Sequence, residues 1–444
     1  MKTKNIRLGL KENRKQFILL VVINAFVGGM IGMERSILPE IAVAEFHIAA
    51  RTAILSFIIV FGIVKAITNY FTGTLANKFG RKNLLVIGWL IGIPVPFILM
   101  FAPDWNWIVA ANILLGINQG LTWSSTVMMK IDLVGEKQRG LAMGLNEFAG
   151  YIAVAVVAFL TGWIAGKYGL RPYPFYLGMG ISILGLLFSW LFVKDTQGHI
   201  DQEAVSSKTA PLKEIFWETS WKNKNLGSVT QAGLMNNLND GMVWGLFPIL
   251  LATKGLAIEQ IGIITAIYPA VWGIGQVATG KMADRVCKKD LLFWGMFLQA
   301  AALAAFVIAF SFTQFIILSF LLGWGTAMVY PTFLASIAEN THPHDRAKSL
   351  GIFRFWRDLG YAIGAIITGI IADIFSLNSS ILFVAAMTLF SGLIIFYRMK
   401  CSSDFIRIID WIKVRFKLNN DLNFKGFKKI YYLKNLSIEN KLCD

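Results

Sequence analysis

The chain has 444 residues, 56% of them hydrophobic and only 15% charged, with a mean hydropathy of +0.59. Soluble globular proteins carry roughly 25% charged residues, so this composition excludes a soluble domain and indicates a membrane protein. The net charge of +16 does not indicate a nucleic-acid-binding face, because the cations lie in loops and tails between apolar runs, the pattern of membrane topology and contact with anionic lipid.

Residues 1–16 form a basic arm with Lys2, Lys4, Arg7, Lys11, Arg14 and Lys15. The apolar run from Phe17 to Leu38 is too long for a cleaved signal core and is read as a first spanning helix. Twelve stretches of about 20 residues fit a bilayer. They fall at 17–39, 52–72, 83–101, 107–129, 141–165, 173–193, 226–252, 260–280, 290–310, 314–336, 350–372 and 379–398. In lipid only helices and closed barrels satisfy the backbone, and continuous apolar runs of this length are helices. The expected class is an all-α membrane protein with twelve transmembrane helices.

Lys and Arg concentrate in the N-terminal arm and in the loops after the even-numbered spans. The loops after the odd-numbered spans hold only Arg51, Lys167, Arg171 and Lys254. That bias places both termini in the cytoplasm of a multi-pass protein of the cell membrane. The expected organisation is the arm, an N-terminal six-helix bundle over 17–193, a linker over 194–225, a C-terminal six-helix bundle over 226–398, and a tail over 399–444.

The linker mixes Lys194, Asp195, Asp201, Glu203, Lys208, Lys213, Glu214 and Glu218 with Ser206, Ser207 and Pro211, and reads as solvated. Trp217 and Trp221 would let its last part lie on the membrane surface. In the tail, Phe405, Ile408, Ile409, Ile412 and Phe416 recur at helical spacing among Arg407, Lys413, Arg415 and Lys417, an amphipathic helix on the cytoplasmic leaflet. Cys287, Cys401 and Cys443 show no metal spacing and read as reduced thiols.

Several chemistries lack their residues. There is no Gly-x4-Gly-Lys-(Ser/Thr) loop for ATP and no Gly-x-Ser-x-Gly elbow. His47, His199, His342 and His344 all fall in loops, without metal-ligand spacing. No enzyme activity, metal or cofactor is expected, and transport would draw on an ion gradient.

Ionisable groups inside spans cost roughly 2.5–3.5 kcal/mol each at mid-membrane, so each needs a reason. They are Glu34, Arg35, Lys65, Glu147, Asp240, Arg354, Arg357 and Asp358. Asp240 follows Asn236, Asn237 and Asn239 and precedes Gly241 in the middle of the seventh span. This cluster either faces a watery path for substrate or protons, or forms an interhelix hydrogen-bond network. Lys65 is either a counter-ion or a side chain whose stem snorkels to the interface. Glu34 and Arg35 belong to an outer gate or to a satisfied pair near the end of the first span.

The segment Gly73-Thr74-Leu75-Ala76-Asn77-Lys78-Phe79-Gly80-Arg81-Lys82 lies between two spans. It has a degraded copy, Gly280-Lys281-Met282-Ala283-Asp284-Arg285-Val286-Cys287-Lys288-Lys289. The same offset relates Leu114-Leu115-Gly116 to Leu321-Leu322-Gly323, Arg139 to Arg346, Gly144 to Gly351 and Thr161-Gly162 to Thr368-Gly369. Six helices return the chain to one side, so the repeat is parallel. The loop resembles the signature between the second and third helices of the major facilitator superfamily, roughly Gly-x-Leu-Ala-Asp-(Arg/Lys)-x-Gly-Arg-(Arg/Lys). The first copy departs from the pattern at Asn77; the second keeps Asp284, followed by Arg285, and loses the late Gly-Arg pair.

The resemblance implies two pseudo-symmetric six-helix bundles around a midplane site. It implies a cavity lined by the first, fourth, seventh and tenth helices, which adds Asn24, Asn118, Gln119 and Trp123 to Asp240 and its amides. It gives Gly73, Gly80, Arg81, Lys82, Asp284 and Asn77 a role in holding one access state, Asp284 near Arg139 and Asn77 near Arg346. Glu147, Arg354, Arg357 and Asp358 would form either state-dependent salt bridges between the halves or a static network that stabilises the fold. Asn112 stands where many drug-exporting members carry arginine. The expected function is secondary active transport of a small solute, coupled to H+ through Asp240 or Glu34, by a monomer in contact with membrane lipids. The alternative is a sensor or scaffold that kept the fold and lost transport.

Overall fold

The computed structural model describes residues 6–401 apart from 36, 49, 50, 137, 208 and 257. The N-terminal half holds α1 (Arg14–Arg35), α2 (Leu38–Ala44), α3 (Arg51–Phe79), α4 (Arg81–Gly92), α5 (Pro94–Phe101), α6 (Trp105–Val134), α7 (Arg139–Tyr168) and α8 (Phe175–Leu191). A connector contains α9 (Gln197–Ser206), α10 (Ile215–Trp217) and a π-helical turn, Glu218–Lys222. The C-terminal half holds α11 (Lys224–Thr253), α12 (Ile258–Ala283), α13 (Lys288–Ile308), α14 (Phe312–Glu339), α15 (Pro343–Ile374) and α16 (Leu377–Arg398).

No strand occurs among the described residues, and nine helical stretches there are long and apolar enough to cross a membrane. Three further helices, α6, α8 and α11, lie where the remaining spans are expected but do not meet that length and hydropathy. Of these, α8 is apolar but short, while α6 and α11 are long and interrupted by polar residues such as Gln119, Lys130, Asn236 and Asp240. The third span is two helices, α4 and α5, because Pro94 and Pro96 restart the helix after Ile93.

Local chemistry marks the helix ends. Asp104 caps α6 and Asn223 caps α11 by accepting backbone N–H donors, and Ser311 with Gln314 forms a capping box on α14. Gly80 at the head of α4 has φ of 82°, a backbone conformation that glycine adopts without strain, so α3 can reverse directly into α4.

Packing repeats between the halves. The neighbours α1–α7, α3–α6, α4–α6, α4–α8 and α1–α8 correspond to α11–α15, α12–α14, α13–α14, α13–α16 and α11–α16. Two seams join the bundles, α3 with α15 and α7 with α12. Both are closed by glycine where the basic loops emerge. A Cβ on Gly73 would lie 2.4 Å from the Ala347 carbonyl oxygen, and one on Gly280 would lie 2.4 Å from that of Gly140.

Two expectations change here. The connector is not simply solvated, since Glu203 on α9 is 2% exposed; opposite charges on both bundles draw it in. The thiols of Cys287 and Cys401, far apart in sequence, are brought side by side with Cα atoms 5.8 Å apart, because the start of α13 and the end of α16 converge. The amphipathic tail helix expected around Phe405–Phe416, and Cys443, lie outside the described residues.

Candidate functional site

A buried polar layer inside the helices crosses from one half to the other. On α3, Asn69 Nδ2 donates to Asp358 Oδ2 on α15 at 2.6 Å. Ser124 of α6 donates to Asn69 Oδ1 at 2.6 Å and accepts from Arg354 Nη1 at 3.2 Å. Arg354 also faces Glu147 of α7 at 3.9 Å. Glu147 Oε1 accepts from Trp123 Nε1 at 3.2 Å and Asn146 Nδ2 at 2.7 Å. Arg357 grips Asp358 Oδ1 through Nε at 2.8 Å and Nη2 at 2.6 Å, and Asn237 of α11 reaches the same oxygen at 3.4 Å. In this buried setting each charge is held by an opposite charge or a donor, which is what makes its burial tolerable.

An aromatic cluster adjoins this layer. Tyr151 of α7 and Tyr330 of α14 share a hydrogen bond at 3.0 Å across the interface of the halves. Trp272 of α12 lies against both rings, with centroids 4.2 and 5.1 Å away. The Arg357 guanidinium sits 5.3 Å from the Tyr330 ring, and Lys65 Nζ lies 5.5 Å from the Trp123 ring. Cation-π contacts of this kind position a charge without neutralising it.

Asp240 is 5% exposed and accepts from the Tyr268 hydroxyl, which also meets Thr326 at 3.3 Å. Next to that pair an apolar cavity of about 220 Å³ is lined by Val243, Trp244, Phe247, Ile264 and Tyr268. Asn236 is buried, and neither polar atom of its side chain has a hydrogen-bond partner among the described residues.

Other sequence candidates face elsewhere. Asn239 does not join the cluster: it donates to Gln299 on α13 at 3.1 Å and accepts from Thr388 on α16 at 2.7 Å, because the helical turn rotates it away from Asp240. Asn24 tethers α1 to the Asn146 carbonyl at 2.7 Å. Asn118 and Gln119 donate to the carbonyls of Gly88 and Val27 at 2.8 and 2.9 Å, which ties α6 to α4 and α1. Asn112 donates to the Ile108 carbonyl on its own helix at 3.1 Å. Glu34 is buried at 2% exposure, and Arg35 is the last residue of α1.

The basic-loop end carries a second charge network. Asp284 Oδ1 and Oδ2 accept from the backbone N–H of Gly140 and Leu141 at 2.6 and 2.9 Å, at the start of α7, where the helix dipole favours an anion. Asn77 instead donates, to the His344 carbonyl at 2.9 Å. Arg81 donates to Asp132 at 3.1 Å, and the Lys82 amide donates to Asp195 at 3.0 Å. Arg285 is exposed. Glu203 accepts from both Arg139 and Arg346. Burial pushes the Glu203 carboxyl up, but the two guanidiniums outweigh it and hold the group below the ordinary glutamate value. Burial keeps Asp284 above the ordinary aspartate value, against the pull of its two backbone donors.

Lys130, Asn69, Tyr151, Tyr268, Trp272, Tyr330 and Glu203 take part in these networks without standing out as site residues in the sequence. Lys130 lies one residue past the expected end of its span, yet it is fully buried in α6 and donates to Asn146 Oδ1 at 2.5 Å. The signal available was a lysine at helical spacing from Thr126 and Trp123. The aromatics carried no sequence signal, since in apolar spans a ring is more often packing than ligand contact.

A family model described as Major Facilitator Superfamily matches residues 18–235 and 229–404. The chain is 25% identical over 404 residues to the proton-coupled antiporter flippase LtaA of Staphylococcus haemolyticus, covering 88% of this chain and 94% of that protein. It is 22% identical over 335 residues to the multidrug resistance protein MdtG of Proteus mirabilis, covering 74% and 81%. Among solved structures, the human organic anion transporter MFSD10 superposes with a TM-score of 0.71 at 13% identity, covering 86% of this chain and 99% of that one. The proton:xylose symporter XylE superposes with a TM-score of 0.70 at 15% identity, covering 88% and 98%.

Proposed function

The chain belongs to the Major Facilitator Superfamily of multi-pass membrane transporters, and we infer that it is a secondary active transporter working by alternating access. The observation that carries this reading is the polar layer that links the halves inside the spans by one amide–carboxylate hydrogen bond, Asn69 to Asp358, and one exchangeable ion pair, Glu147 with Arg354. Such pairs can be remade with a solute or a proton as the halves rock. We take the basic-loop end as cytoplasmic, in a cell membrane, by the cation bias of its loops. The closed glycine seams at that end then correspond to an outward-facing form.

Proton coupling is supported by analogy with relatives named as proton-coupled, and by buried carboxylates that a gradient could charge and discharge. Asp240 with Tyr268, Glu34, and Glu147 beside Lys130 are the carriers we propose. Lys65, Lys130, Arg354 and Arg357 outnumber Glu147, Asp358 and Asp240 in the central region. That surplus favours a solute with an anionic or strongly polar group, while the rings of Trp272, Tyr330 and Tyr151 suit an apolar portion. The whole chain reconstituted in vesicles should show solute flux that follows an imposed pH gradient across a panel of anionic, neutral and cationic solutes. Flux indifferent to the gradient would remove the coupling, and absence of flux for the entire panel would remove the transport reading.

A further inference from the structure

At the basic-loop end of the C-terminal half, the ends of four helices surround a cavity of about 160 Å³. It lies apart from the central site and from both signature-loop contacts with the opposite half. Its wall is fixed by amides: Asn225 of α11 donates to Asn340 Oδ1 at 2.7 Å, Asn340 donates to the Ser336 carbonyl at 2.9 Å, and the Lys400 amide donates to Asn225 Oδ1 at 2.9 Å. Cys287 and Cys401 meet where the two ends of the wall converge, with Cα atoms 5.8 Å apart.

Three cations line this cavity, Lys288, Lys289 and Lys400, against one acid, Glu339. Lys288 pairs with Glu339 at 2.6 Å, and Lys289 rests 5.0 Å from the Phe396 ring. The pairing leaves a net positive lining. The cavity also receives the start of α13, whose N-cap, Cys287, provides no side-chain cap. The Asp290 and Leu291 amides turn back to the Cys287 carbonyl at 3.1 and 3.2 Å, and the buried Asp290 sits in the same first turn, so the helix dipole adds only modestly to the pull of Lys289 and Lys400 on an anion. On the inner wall, Ser336 is fully buried and its hydroxyl has no hydrogen-bond partner among the described residues. A buried hydroxyl without a partner is costly, and an oxyanion seated against it would supply the acceptor.

We propose that this cavity binds a phosphate group, carried by an anionic phospholipid headgroup or supplied free in solution. The Lys289 and Lys400 ammonium groups would hold its charge, and Ser336 would donate the inner hydrogen bond. Basic recesses between membrane helices on the cytoplasmic side are suited to such headgroups.

The full chain in detergent would be followed by thermal unfolding with added phosphatidylglycerol, with added phosphatidylcholine, or with inorganic phosphate. Ligand binding to the folded state should raise the midpoint by about 2 °C or more with phosphatidylglycerol over phosphatidylcholine if the source is lipid, or with inorganic phosphate if it is free. The Lys289→Gln/Lys400→Gln variant should lose that rise while unfolding at the wild-type midpoint without ligand, because neither side chain is in the core. Lys289→Arg should keep the rise, and Ser336→Ala should reduce it. No rise with either ligand, or an equal rise in the double variant, overturns the proposal.

Discussion

Arg346 and Glu203 face each other through two parallel hydrogen bonds, Nη1 to Oε2 at 2.8 Å and Nη2 to Oε1 at 2.7 Å. Arg346 opens α15, Glu203 lies on the connector helix α9, and Arg139, which opens α7, donates to the same carboxylate. One carboxylate from the connector therefore bridges the first turn of a helix in each half. A fork-on-fork contact of this kind is strong and directional, so the connector acts as a clasp on the closed end.

Glu203→Gln should loosen that end. It leaves two buried guanidiniums facing a neutral amide, and breaking a buried pair costs about 3–5 kcal/mol. Spin labels introduced by Lys78→Cys and His344→Cys, at exposed positions on α3 and α15, would read the separation of the halves. The expected result is a broader and longer distance distribution in the variant; an unchanged distribution rejects the clasp.

The clasp should also respond to acid. Glu203 is held below its ordinary value of 4.5, so its contribution is fully present above that value and is lost as pH falls through the depressed one. Asp284 has the opposite sense. It is raised above 3.8, so its contribution is present below that value and lost as pH rises through the raised one. The same spin-label pair, titrated from about pH 6 down to about pH 3, should open in the wild type and in Asp284→Asn, but show no acid-driven change in Glu203→Gln. Opening that persists in Glu203→Gln would assign the response to another group.

The glycine seam predicts a steric wedge. Gly73→Leu places its Cβ 2.4 Å from the Ala347 carbonyl oxygen, and Gly351→Leu places one 2.6 Å from that of Asn69. These are backbone atoms that cannot rotate away, and overpacking typically costs about 1–3 kcal/mol. Both variants should favour the form open at the basic-loop end and slow transport while remaining folded. Wild-type transport in both would mean that the seam is not closed during the cycle.

The proposed proton coupling through Asp240 is tested by separating it from translocation. Asp240→Asn keeps the size of the side chain but removes the titratable group beside Tyr268. Gradient-driven accumulation should fall at least tenfold, equivalent to about 1.4 kcal/mol, while solute exchange without a gradient survives. Accumulation at the wild-type level would pass the carrier role to Glu34 or Glu147.

The chain's own order of residues determined the helical class, the order of the spans, the repeat and the two signature loops. Each of these depends on short-range features: apolar length, cation placement between runs, and a tight basic loop. Asp240, Glu147, Arg354, Arg357 and Asp358 were visible for the same reason, since a charge in an apolar run stands out wherever it points. Only the tertiary structure decided which of them meet. Neighbours in a bundle come from distant parts of the chain, and a rotation of about 100° per residue decides whether a side chain joins its partner or turns away, as Asn239 does. It also turned Glu203, which looks like an ordinary solvated acid in a mixed-charge linker, into a buried bridge. Burial depends on what folds over a residue, and both arginines that cover Glu203 come from other segments.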